Sequence, residues 1–326
     1  MRRFGRILGR VLLCLILIGA ALYFLGPTEQ ISLTPQITDA DVGRDVDAHF
    51  AASEAQFDDL TPGVQKRVVW HGDAGAPTAL SILYVHGFSA TSEEIRPVPD
   101  QVAAALGANL VYTRLAGHGR DGAALDAATV QDWANDLAEA LIVARRVGEE
   151  VVVISTSTGG TLVAGMADQS DVMAQVKAMI FVAPNFGINS PVAGLLTLPA
   201  ARHWVSLLAG KERSFAPANE AQATYWTTHY PTTAVLQMAA LVKEVVGKDY
   251  SGVITPALFW FSDDDTVVDP SKTRAIAARW GGDVVLAAQS RGADADPDAH
   301  VIAGDIMSPG ETARTVEAFV NFINDL

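Results

Sequence analysis

The chain has 326 residues, 49% of them hydrophobic, and a formal net charge of −14. That length accommodates one large α/β domain or two smaller ones, with apolar residues enough for a sizeable core. Arg2, Arg3, Arg6 and Arg10 are the only charges before Glu29, so residues 29–326 carry −18. A body this acidic argues against nucleic acid as a partner, because phosphate binding needs a basic surface. The single cysteine, Cys14, excludes an intramolecular disulfide and a cysteine-based metal site. The Leu12-Leu13 pair before it lacks the small residue that lipoprotein processing requires, so lipidation is not expected.

Met1 to Arg10 is basic, and Val11 to Leu25 is uncharged and apolar. Extended back to Ile7, the apolar stretch has nineteen residues, close to the roughly 20 that span a bilayer. Arg10 near one end could reach the headgroups. Residues 1–26 therefore read as an uncleaved membrane anchor, a signal anchor with its basic end in the cytoplasm. The body would then lie outside the cytoplasm, on the periplasmic side in a Gram-negative cell. The alternative is a signal peptide removed on export, yet Ala20-Ala21-Leu22-Tyr23-Phe24 offers no clean small-x-small cleavage site.

Residues 27–64 are polar and mixed, a linker with a short helix around Asp41 to Gln56. Lys66 to His71 and Ala79 to Val85 read as strands. Ser92 to Leu106 carries Ile95, Val98, Val102 and Leu106 at helical spacing. Asn109 to Thr113 is a short strand, and Thr129 to Val147 a helix with a basic end at Arg145-Arg146. A strand at Val151 to Ser155 is followed by a helix at Thr158 to Asp168 and a strand at Val176 to Val182. Further strands are expected at Pro256 to Phe261 and Asp283 to Ala287, with a helix over Ser271 to Trp280 between them. Glu311 to Phe322 is the last helix. Alternation of strands and helices implies a mostly parallel central sheet with helices on both faces. Strands that read as apolar runs fit burial on both sides. Residues 185–251 break the rhythm and are rich in aromatics, including Trp204, Phe215, Tyr225, Trp226 and Tyr230. They read as a helical insertion between the two parts of a core over 65–184 and 252–326.

The chemistry concentrates in four places. Ser155-Thr156-Ser157-Thr158-Gly159-Gly160 follows the run Val151-Val152-Val153-Ile154, a strand ending at a small-residue turn that enters a helix. The pattern G-x-S-x-G gives a serine an exposed, sharply turned position. Ser157 is its centre and Gly159 fits, while Ser155 replaces the first glycine. Tyr84-Val85-His86-Gly87-Phe88 ends an earlier apolar run. Asp263-Asp264-Asp265-Thr266-Val267-Val268 follows Ala257-Leu258-Phe259-Trp260-Phe261, and His300 sits in a polar loop before the last helix.

In this order, an HG turn, then Ser, then Asp, then His, the chain over roughly residues 65 to 326 resembles the α/β-hydrolase superfamily of serine hydrolases. Among its members it looks most like bacterial esterases, lysophospholipases and monoacylglycerol lipases. The resemblance implies a nucleophile at Ser157, a base at His300 and an orienting acid at Asp265, with Asp264 the second choice. It implies an oxyanion hole made by the backbone N–H groups of Thr158 and Phe88. His86 in the HG turn and His118 in Ala116-Gly117-His118-Gly119 would be structural. The 185–251 insertion would form a helical cap over the site, with an ordinary helical layer as the alternative.

Asp294-Ala295-Asp296-Pro297-Asp298 could suggest calcium, but Ala299 stands where the calcium loop needs glycine and no glutamate follows until Glu311. Neither HExxH nor CxxC occurs, and no glycine-rich cofactor fingerprint follows a strand, so no cofactor and no metal are expected. The expected activity is hydrolysis of carboxylic esters, of a lipid or a small molecule, through an acyl-enzyme. Amide or peptide cleavage is the alternative within the fold, and a non-catalytic binding protein is the alternative outside enzymes.

Overall fold

A computed structural model describes residues 2–326, and Met1 lies outside the described residues. Among the described residues nine strands form, β1 Arg67–Val69, β2 Thr78–Val85, β3 Asn109–Tyr112, β4 Gly148–Thr156, β5 Val176–Val182, β6 Glu212–Ser214, β7 His229–Pro231, β8 Ala257–Ser262 and β9 Val284–Gln289. The helices are α1 Arg2–Leu25, α2 Val46–Glu54, α3 Val98–Leu106, α4 Gly122–Ala127, α5 Val130–Val147, α6 Ser157–Met166, α7 Ala201–Ala209, α8 Glu220–Tyr225, α9 Val235–Gly247, α10 Pro270–Ala277 and α11 Thr312–Asn324.

Seven strands make one sheet in the order β1-β3-β2-β4-β5-β8-β9. Only the edge pair β1–β3 is antiparallel; the pairs from β3 to β9 are parallel. Parallel neighbours need crossovers, and the intervening helices supply them. The period of two then divides each central strand between two cores. Leu83, Val85, Val151, Val153, Met179, Phe181, Phe259 and Phe261 face one side, with Trp133, Leu137 and Leu141 of α5 and Leu162 and Val163 of α6. Ile82, Tyr84, Val152, Ile154, Ile180, Val182, Leu258 and Trp260 face the other, with Val98 and Val102 of α3 and Phe319 and Ile323 of α11. Double-sided burial is why these strands are unbroken apolar runs.

Helix α5 begins where expected because Thr129 and Asp132 form a reciprocal capping box. Helix α3 starts at Val98, six residues later than the Ser92 start expected from the apolar spacing. Pro97 is the reason: the residue before a proline is pushed out of the helical region, so 92–97 turn instead. Ile95 is nevertheless fully buried, so the apolar spacing there reports burial and not helix. The segment 185–251 contains α7, α8 and α9 and also the two-stranded antiparallel sheet β6–β7, which its composition does not reveal.

The N-terminal expectation is corrected. Among the described residues no helix is long and apolar enough to cross a membrane. Helix α1 spans 24 residues, but arginines occupy positions 2, 3, 6 and 10. The uncharged part from Val11 is about 22 Å long at 1.5 Å per residue, against a hydrocarbon layer of about 30 Å. The signal anchor, the membrane partner and the membrane-anchored location expected from the sequence fall with it. The polar stretch after α1 is a strap over the body. Glu29 accepts two hydrogen bonds from Arg202 and one from Gln237, and Gln36 N donates to Asn135 at 2.7 Å.

Candidate active site

Ser157 is the first residue of α6, immediately after β4. Its φ is +49°, a left-handed conformation that is strained for any residue with a side chain. Gly159 makes the turn possible: a Cβ there would lie 2.4 Å from the carbonyl oxygen of His86 and 2.5 Å from that of Val85. Ser155, in place of the usual first glycine, is buried and donates to the Ile180 carbonyl at 3.2 Å. A small residue with a satisfied hydroxyl serves there as well.

Asp265 lies in the loop after β8 and His300 in the loop after β9. His300 Nδ1 is 2.8 Å from Asp265 Oδ2, and His300 Nε2 is 3.0 Å from Ser157 Oγ. The structure thus brings together Ser157, Asp265 and His300. With Nδ1–H donating to the carboxylate, Nε2 is left to accept from the serine hydroxyl. Asp265 Oδ1 accepts from Val267 N at 2.8 Å and Val268 N at 2.9 Å. Thr266 binds the two loops together, its N–H and Oγ1 donating to the carbonyl and side chain of Asp298. The acidic run before His300 is thereby explained in part. Asp296 is buried and accepts from His300 N at 3.2 Å and Val301 N at 2.8 Å, shaping the loop.

Burial opposes a charge on His300, but the adjacent Asp265 outweighs it, helped by Glu94 and Asp296, and the pKa is raised above 6.5. The three other carboxylates of this loop stand away from the imidazole. Asp263 pairs with Arg274 at 2.6 Å, Asp269 caps α10, and Asp264 is exposed.

Phe88 follows His86-Gly87, a turn tied down from both sides. His86 Nε2 accepts from Leu115 N at 3.1 Å, leaving Nδ1 to donate to the Gly87 carbonyl at 2.9 Å. Burial, together with nearby His118, holds the His86 pKa well below its usual value. Burial also pushes His118 down to about 4. Both rings are neutral struts. Gly87 abuts Ser157, since a Cβ there would lie 3.0 Å from Ser157 Cβ. The Phe88 N–H makes no hydrogen bond to the described residues. Thr158 sits in the first turn of α6, where N–H groups have no partner within the helix.

Three residues near the site carry no sequence signal. Glu94 falls in the first turn of the helix expected over Ser92 to Leu106, with nothing to mark it as buried, yet it is 2% exposed. Its carboxylate accepts from Gly87 N at 2.7 Å. Asn185 donates to Thr158 Oγ1 at 3.3 Å, and its backbone N–H donates to the Ser157 carbonyl. Tyr84, an apolar strand residue to the eye, brings its hydroxyl within 3.1 Å of both Glu94 and Thr156. The 185–251 segment reaches the same place. Thr227 N donates to Ser89 O at 2.7 Å, Tyr230 packs edge-on against Phe88 with centroids 5.6 Å apart, and Met238 Sδ lies 3.4 Å from Asn185 Nδ2. Two surface clefts, of about 480 Å³ beside α2 and about 410 Å³ between Thr28 and Lys248, include neither Ser157 nor His300.

Residues 76–288 match the family described as serine aminopeptidase, S33. The chain belongs to this family of α/β hydrolases. The hydrolase is 27% identical over 197 residues to a thermostable monoacylglycerol lipase of a Bacillus species, strain H-257, covering 60% of this chain and 75% of that one. Its fold is similar to a structure from work on LipS and LipT, two metagenome-derived lipolytic enzymes, with a TM-score of 0.67, 20% identity and coverage of 82% and 100% of the two chains. It is also similar to a soluble variant of monoglyceride lipase from Saccharomyces cerevisiae, with a TM-score of 0.58, 12% identity and coverage of 80% and 89%.

Proposed function

We propose that this hydrolase cleaves carboxylic esters through a covalent acyl-enzyme on Ser157. The observation that carries this reading is the unbroken hydrogen-bonded chain from Asp265 through His300 to a serine held at positive φ. Ser157 Oγ would attack the ester carbonyl carbon while its proton passes to His300 Nε2. Asp265 would stabilise the imidazolium and hold the ring's tautomer. The tetrahedral oxyanion would lie against the N–H groups of Phe88 and Thr158. Loss of one such donor lowers turnover by about 10²–10³. On collapse the alcohol leaves with the proton from His300, and water repeats the sequence to release the acid.

The lipase relative supports an acyl monoester as substrate class. Residues 185–251 would serve as the cap, because Tyr230 brings apolar surface onto Phe88 and Thr227 N–H ties the segment to the Ser89 carbonyl. A second reading, release of an amino-terminal residue from a peptide, is favoured by the family's description. The test is turnover of p-nitrophenyl esters of increasing chain length and of monoacylglycerols, beside aminoacyl p-nitroanilides, with Ser157→Ala and His300→Ala as controls. Ester turnover lost in both variants is the expected result. Ester turnover that survives Ser157→Ala would sink the mechanism, and anilide turnover alone would select the peptidase reading.

A further inference from the structure

Glu94 is a buried carboxyl group that the reaction above does not use. It lies under the oxyanion turn, with Gly87 N–H donating to Oε2 at 2.7 Å and the Tyr84 hydroxyl at 3.1 Å from the same oxygen. Among the described residues no cation pairs with it, in contrast to its neighbour Glu93, which meets Arg67 and Arg96. A Cβ on Gly87 would lie 2.7 Å from Glu94 Oε1 and 3.0 Å from Ser157 Cβ. The bare face of Gly87 is therefore shared by this carboxyl and the nucleophile, with no room for a side chain. A buried acid without a cation is unfavourable for folding, and an amide or a hydroxyl could hold the same turn without that penalty.

We propose that Glu94 is a positioning residue for ester hydrolysis: its carboxylate anchors the turn that carries the Phe88 N–H and supplies His300 with a second negative neighbour besides Asp265. This inference rests on the triad reading above. Glu94 and the triad lie close together: Glu94 Oε1 and Ser157 Cβ flank the same point beside Gly87, and Ser157 Oγ is 3.0 Å from His300 Nε2. Burial raises the Glu94 pKa to about 7, against the pull of the Gly87 N–H, His300 and Tyr84. Glu94 in turn favours the charged form of His300. The titratable groups facing the carboxyl are Tyr84 from β2 and His300 from the loop after β9, with Asp265 and Asp296 behind the imidazole. As His300 takes the serine proton, an ionised Glu94 would stabilise the imidazolium. Because it sits beneath the oxyanion turn, it also has to be held in one place, and the Gly87 and Tyr84 hydrogen bonds do that.

The test compares Glu94→Gln and Glu94→Ala in the full chain. The glutamine keeps the shape and can still accept from Gly87 N–H, but it has no charge. In Glu94→Gln the acid limb of kcat/KM against pH should move down by about 0.5 unit or more, with kcat reduced several-fold and KM little changed. Glu94→Ala should lose a further tenfold or more in kcat, because the turn is no longer anchored. A Glu94→Gln profile that superimposes on the wild type overturns the proposal. So does a Glu94→Ala kcat equal to that of Glu94→Gln. If the alanine variant does not fold, the pH profile of the glutamine variant decides alone. Ser157→Ala in the same assay separates the two claims, since its activity tests the triad and not Glu94.

Discussion

Replacing Asp265 with asparagine changes one atom and should reverse the polarity of the whole triad. The side chain is held by two backbone donors on Oδ1, Val267 N at 2.8 Å and Val268 N at 2.9 Å. An asparagine in the same rotamer must keep its carbonyl oxygen toward those two donors, because its NH₂ cannot accept from them. The NH₂ group then points at His300 Nδ1, 2.8 Å away. Nδ1 becomes the acceptor, the ring proton moves to Nε2, and Nε2 can no longer take the proton of Ser157. The fold is retained, because both backbone bonds survive and only the charge assistance of the bond to Nδ1 is lost, at most about 1.5–3 kcal/mol. Turnover should fall by about 10⁴, the scale of a wrong-tautomer triad. The assay is initial-rate hydrolysis of a p-nitrophenyl ester, with the melting temperature as a check on folding. Asp263→Asn and Asp264→Asn serve as controls and should stay within about threefold of wild type, since neither touches the imidazole. Asp265→Asn activity within tenfold of wild type would refute the assigned role, and a large loss in Asp264→Asn would move it by one residue.

Gly159→Ala would push a methyl group against the His86 and Val85 carbonyls. It should destabilise the protein by about 1–3 kcal/mol and reduce turnover, both read from a thermal melt and the ester assay. Lys66 is buried with Asp136 and Glu139 each 2.6 Å away, so Lys66→Met removes the cation that two buried carboxylates share and should cost about 3–5 kcal/mol in urea unfolding. Ester turnover needs neutral His300, whose pKa is raised above 6.5. As pH falls through that pKa the base becomes protonated, so kcat/KM should decline with a limb centred above 6.5, and a limb at or below pH 6 would contradict the Asp265 contact.

Some features could be read from the chain alone because local chemistry and final geometry coincide. The β4–Ser157–α6 turn needs an apolar run and then small residues, and both stand together in sequence. Asp265 precedes Val267-Val268, whose N–H groups hold it, so its loop carries its own signature. Glu94 had no such signature. Its environment is made by Tyr84 and Gly87, which enter from β2 and its turn, and by burial that no spacing announces. Asn185 was hidden for the same reason, as the first polar residue of a segment that reads only as aromatic-rich. The N-terminal stretch misled because hydropathy was counted across Arg10. The length of uncharged helix, and not the average along it, decides whether a bilayer can be crossed.

The distribution of the triad along the chain bears on how the protein reaches its working state. Ser157 and His300 are separated by 143 positions, and β5, the 185–251 segment, β8 and β9 all intervene. Loop-closure entropy for such a contact can be offset only after the sheet has propagated to its far edge. The Ser157–His300 hydrogen bond would therefore be among the last native contacts to form. An intermediate with β1 to β5 paired would contain Ser157 in its turn and no base. Recovery of esterase activity during refolding would then lag behind recovery of secondary structure, making hydrolysis a sensor of complete folding.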